Sequence, residues 1–63
     1  MRFSEKVLAA RLKLNLSQEA LAKELKVGFV TVNRWENGHS EPQKLTLHRF
    51  TEFCKKQNIM FED

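Results

Sequence analysis

A chain of 63 residues holds one domain at most, with a single small core and no roomy catalytic cleft. Its apolar fraction of 41% and charged fraction of 30% suit a folded, helix-rich domain; no apolar run approaches the roughly 20 residues of a membrane span or the apolar stretch of a signal peptide, so a cytoplasmic place is expected. The net charge of +3 and pI near 9.4 permit nucleic-acid binding without requiring it, while one cysteine and two histidines allow no internal disulfide and match no zinc pattern.

The first predicted helix opens at Ser4, a residue type suited to capping, with Phe3 and Leu8 at the two positions of a hydrophobic staple. Val7, Leu8, Arg11 and Leu12 then recur at helical spacing, and Asn15 suits the left-handed stop that lets Leu16 fold back on the core. Ser17 caps the second helix, SQEALAKEL, with Glu19 favouring its positive end and Leu21, Ala22 and Leu25 forming its apolar stripe.

The next stretch, KVGFVTVNRWENG, is ambiguous. Phe29–Val32 has the residues of a β-strand, and Asn37-Gly38 has those of a hairpin turn. The segment beyond, HSEPQK, carries Pro42 and almost no apolar side chain, so it offers no second strand. As a helix over Gly28–Asn37 the segment is coherent: Val32 and Trp35 share a face with access to Val27, Gly28 can cap the start and Gly38 the end. The β-branched residues cost a few tenths of a kcal/mol each, and burial of Trp35 and Val32 outweighs that. A fourth helix opens at Lys44 or Thr46, with Leu47, Phe50, Phe53 and Cys54 inward, and stops at Asn58 with Ile59 folding back. The tail IMFED is too short for another full helix. Cys54 reads as a small core residue.

Two helices joined by the short turn LKVG make a helix-turn-helix arrangement. A small residue at Ala22 lets them cross closely. The stretch LSQEALAKELKVGFVTVNRWENG (Leu16–Gly38), followed by Pro42, resembles the phage repressor/Cro, or Xre-type, helix-turn-helix family. The matching positions are Leu16, Ser17, Gln18, Leu21, Ala22, Leu25, Val27, Thr31, Trp35, Glu36, Gly38 and Pro42, with Val32 in the usual Ile place. The departures are Lys26, where a turn glycine is usual, Gly28, where a serine is usual, and a chain that ends short of a complete fifth helix.

The resemblance implies an all-α fold, a compact bundle of four to five short helices like the lambda-repressor DNA-binding domain. It would form a single domain over residues 1–63, with the helix-turn-helix unit at about 17–37. It also implies sequence-specific binding of double-stranded DNA by a transcriptional regulator, with the third helix in the major groove. With Val32 and Trp35 inward, Phe29, Val30, Asn33, Arg34 and Asn37 face outward. Asn33 would pair with adenine, Arg34 with guanine or a phosphate, and Phe29 and Val30 would press on thymine methyl groups.

Gln18 matches the family glutamine that contacts a phosphate and braces the third helix; Asn37, His39, Ser40 and Lys44 are further phosphate-contact candidates. Arg11 and Glu36 resemble the family ion pair that orients the third helix. A homodimer would read a pseudo-palindromic site. The alternative is a protein-interaction module, antitoxin-like or scaffold, using Phe29 and Val30 as its contact patch. No paired carboxylates, Cys/His set or Gly-rich phosphate loop points to an enzyme, a small-molecule substrate, a cofactor or a metal.

Overall fold

In the structure, a computed structural model that describes residues 1–61, helix α1 spans Phe3–Lys13 and begins one residue before Ser4. Arg2 is its N-cap residue, and the Glu5 carboxylate accepts the Arg2 backbone N–H at 2.8 Å. Ser4 therefore does not cap, and Phe3 lies inside the helix instead of at the position a staple with Leu8 requires. The reason is aromatic burial. The Phe3 ring meets Trp35 edge-on at 5.4 Å and Phe50 at 5.2 Å. Such ring pairs add about 0.5–1.5 kcal/mol beyond the area they bury.

The inner face of α1 is Phe3, Val7 and Ala10, continued by Leu14 at its C-cap, so of the apolar residues at helical spacing Val7 is buried while Leu8 and Leu12 point outward. At the helix end Asn15 takes φ 56°, and the Leu16 N–H donates to the Arg11 carbonyl at 2.9 Å, as the left-handed stop requires.

Helix α2 (Gln18–Leu25) starts from Ser17, whose Oγ accepts the Ala20 N–H at 3.0 Å. Leu21, Ala22 and Leu25 are buried. Lys26 then turns the chain in the left-handed region, φ 59° and ψ 43°, and the Val27 N–H closes on the Ala22 carbonyl at 3.0 Å.

Helix α3 (Phe29–Glu36) is a helix despite its β-rich composition, with Gly28 and Asn37 as its caps. Val32 is fully buried and Trp35 nearly so, which outweighs the propensity cost. Gly38, at φ 74°, carries the exit turn, and the His39 N–H donates to the Arg34 carbonyl at 2.9 Å. The small Ala22 side chain shares one core cluster with Val32 and Trp35, where α2 and α3 pack together.

Helix α4 (Lys44–Lys56) follows the Pro42 loop with Gln43 as its N-cap residue. Phe50 and Cys54 are buried and Phe53 partly so. Leu47, expected inward, is 42% exposed, because only the Phe50/Cys54 side of α4 meets the core. Asn58 stops the helix at φ 60°, and buried Ile59 folds back with its N–H on the Cys54 carbonyl at 2.8 Å. Phe61 stacks on Phe50 at 6.1 Å, and the Lys6 ammonium lies 5.8 Å over the Phe61 ring.

The described residues thus contain four helices and no strand. α3 is packed against both α1 and α2, and α4 rests on α2. Among the described residues no helix is long and apolar enough to cross a membrane. The last two residues of the acidic tail lie outside the described residues.

Candidate nucleic-acid interface

The inner side of α3 fixes its outer side. Because Val32 and Trp35 are held in the core, Phe29 and Val30 stand in solvent at 47% and 64% exposure, with Arg34 and Asn37 also exposed. Asn33 shares this side but is only half-exposed, because its amide reaches α2. All five residues read as outward-facing are therefore on one side of α3, with Asn33 its most enclosed member. Among the described residues Arg34 forms no ion pair.

A polar network crosses from α1 to this side. The Arg11 Nε and Nη2 groups donate to the two Glu36 carboxylate oxygens at 2.7 and 3.0 Å. The Arg11 Nη1 group also donates to the Leu16 carbonyl at 3.2 Å, tying α1 to the turn before α2. Gln18 donates from Nε2 to Glu36 Oε1 at 3.0 Å. Asn33 donates from Nδ2 to Gln18 Oε1 at 3.4 Å, and Asn37 donates from Nδ2 to Asn33 Oδ1 at 3.1 Å. Gln18 thus braces α3.

The electrostatics follow from this geometry. Burial pushes the Glu36 carboxyl up. Hydrogen bonds from Arg11 and Gln18, with the Arg11 charge, outweigh that and hold it below the usual carboxylate range. Hydrogen bonding to Glu36 raises the Arg11 guanidinium further, against a smaller desolvation effect. Both groups are ionised at neutral pH, and the pair is enclosed, with side-chain exposures of 19% and 9%.

The remaining candidates lie around the exit of α3. His39 is exposed and Ser40 half-exposed in the turn after Gly38, and Lys44 is the exposed first residue of α4. Sequence reasoning gives Gln18 a bracing role without naming its bonds to Glu36 and Asn33, and it misses two further links: the Arg11 bond to the Leu16 carbonyl and the Asn33–Asn37 bond. The latter had a legible signal, since two amides four residues apart on a helix can meet. The former depends on a turn conformation that no side-chain pattern states. Among the described residues no three His, Cys, Asp or Glu side chains are grouped to hold a metal ion.

The helix-turn-helix family pattern matches residues 7–57. The chain is 34% identical over 65 aligned residues to the HTH-type transcriptional regulator DicA of Escherichia coli (strain K12), covering 100% of this chain and 48% of DicA. It is 36% identical over 53 residues to the HTH-type transcriptional activator BcrR of Enterococcus faecalis, covering 84% of this chain and 26% of BcrR. The chain thus spans about half the length of the first relative and about a quarter of the second. No solved structure gives a significant match.

Proposed function

The chain belongs to the Cro/C1-type helix-turn-helix family, and from that membership we propose that residues 1–63 act as one DNA-binding domain of a transcriptional regulator, in the cytoplasm and without catalytic activity. The observation that carries the reading is the division of α3. One side is locked into the core by Val32 and Trp35, and the other presents Phe29, Val30, Asn33 and Arg34 together. A helix so divided, rigid behind and mixed polar and apolar in front, suits insertion into the major groove of double-stranded DNA.

In that position Asn33 pairs with adenine, Arg34 pairs with guanine or holds a phosphate, and Phe29 and Val30 meet thymine methyl groups. Gln18, at the first turn of α2, and Asn37, His39, Ser40 and Lys44, around the exit of α3, grip the flanking phosphates. A homodimer would set two copies of α3 about 34 Å apart on a pseudo-palindromic site.

The test is a fluorescence-anisotropy titration of a randomised duplex library, at low and then physiological salt. It compares wild type with the double variant Asn33→Ala/Arg34→Ala. Salt-dependent binding whose sequence preference disappears in the variant is expected. Binding unchanged by the variant would mean a phosphate binder that does not read sequence through α3.

The exposed pair Phe29 and Val30 favours one second reading, an antitoxin-like or scaffold module that docks a protein. Absence of duplex binding at low salt, with a protein partner cross-linked through Phe29, would select it.

A further inference from the structure

A surface groove lies between α1, the Pro42 loop, α4 and the last described residues, and no residue of α3 lines it. Its volume is about 580 Å³, inside the roughly 300–1,000 Å³ of small-molecule sites. Its floor is aromatic. Phe50 meets Phe3 edge-on at 5.2 Å and lies nearly parallel to Phe61, with 17° between the ring planes. Rings in these attitudes offer a flat apolar body both offset stacking and edge contacts. Met60, 90% exposed, and Leu47, 42% exposed, stand at the mouth. The unbranched thioether of Met60 can fold over such a body, and both side chains would leave water in doing so.

The rim has a sign. The Lys6 and Lys55 ammonium groups and the Glu41 carboxylate line it, which leaves one net positive charge. Lys55 pairs with Glu52 at 3.6 Å, with both side chains largely in solvent. So exposed a pair is weak, and an incoming anion can replace Glu52 at little cost. Between floor and rim, the Thr51 hydroxyl donates to the Leu47 carbonyl at 3.0 Å and keeps its lone pairs for a donor.

We propose that this groove binds a small molecule with a flat aromatic body and a single acid group, held at the rim by Lys55, and that α3 senses its occupancy through Phe3. The Phe3 ring lines the groove and also meets Trp35 of α3 edge-on at 5.4 Å. A body stacked on the floor displaces or pins that ring, and either change alters the surroundings of Trp35. Trp35 is the single tryptophan, so the reporter is built in. The site stands whatever the outer side of α3 contacts.

The experiment follows the backbone and indole N–H signals by NMR as 2-naphthoate is added. Saturable shifts are expected at Lys6, Phe50, Thr51 and Phe61 together with the Trp35 indole, while Phe29 and Val30 stay still. Two further probes divide the ligand: 2-naphthalenemethanol keeps the body without the charge, and acetate keeps the head alone. The alcohol is expected to bind the same residues more weakly, and acetate not to saturate.

Lys55→Gln changes an exposed side chain and disturbs no core contact. It is expected to weaken 2-naphthoate about two- to fivefold and to leave the alcohol unchanged. Thr51→Phe places a ring in the groove from an exposed position and is expected to abolish binding of both.

Shifts that never saturate, acetate matching 2-naphthoate, or affinity unchanged in Thr51→Phe would each overturn the proposal. Equal weakening of acid and alcohol by Lys55→Gln would overturn the role of Lys55, and saturation with Trp35 unmoved would overturn the link to α3. Ligand-free spectra that change with protein concentration at Leu47, Met60 and Phe61 would show a second copy covering the groove, which also overturns the site.

Discussion

Arg11 makes three hydrogen bonds from one guanidinium to two residues, Glu36 and Leu16, that lie far apart in sequence. It forks onto Glu36 in α3 and also satisfies the Leu16 carbonyl in the turn before α2. Removing it leaves an enclosed carboxylate without its counter-charge, the costly half of breaking an ion pair. Arg11→Ala is expected to lower stability by about 2–4 kcal/mol, read as a fall in denaturant midpoint at unchanged slope. Arg11→Lys should recover only part of this, since an ammonium cannot fork.

The same pair sets the acid limit. The carboxyl of Glu36 is held below its ordinary range in the folded state, so its contribution is complete above the range of a free carboxylate. That contribution is lost as pH falls through the depressed folded value. Denaturant melts across acid pH should therefore show stability falling with pH, and Glu36→Gln should flatten that part of the profile while lowering the plateau. A wild-type profile matching that of Glu36→Gln would mean the pair contributes no net stability.

At the scale of elements, the turns were more legible than the faces. Asn15, Gly38 and Asn58 each read as turn residues from residue type alone and each adopts positive φ, because few residues tolerate that region. α3 was recoverable against its own propensity because a strand there had no partner. The inner face of α1 was not recoverable. Phe3, Val7, Leu8, Ala10, Leu12 and Leu14 spread around most of the helix, so periodicity allows more than one buried stripe. Only the long-range meeting of Phe3 with Trp35 and Phe50 decides between them. In the candidate site, the outward residues followed from Val32 and Trp35, whereas the Gln18–Asn33 link joins two helices and needed the crossing itself.

The two glycine-related departures from the family pattern have opposite consequences. Lys26 occupies the left-handed region at φ 59°, so Lys26→Gly should stabilise by about 1 kcal/mol. Gly28 has ordinary extended backbone at φ −80° and open space where a side chain would project. There Gly28→Ser is expected to gain a few tenths of a kcal/mol by supplying a cap. Guanidinium melts of the two variants check both signs, and a destabilised Lys26→Gly would show that the lysine side chain compensates for its backbone.

For the whole molecule the deciding quantity is how few cations face the proposed groove. The net charge is only +3, and of the candidate contacts only Arg34 and Lys44 are permanently charged, while Gln18, Asn33, Asn37 and Ser40 are neutral. Each neutralised phosphate contributes about −0.9 to the slope of log affinity against log salt. One domain using those two cations should give a slope of about −2, and a pair of domains about −4. The slope therefore reports stoichiometry as well as contact. Lys44→Ala should make it shallower by about one in a single domain and about two in a dimer. Ser40→Ala should weaken binding without changing it, because a hydroxyl releases no counterion. A slope that ignores Lys44→Ala would remove Lys44 from the interface and direct the search for cations to the outer surfaces of α1 and α2.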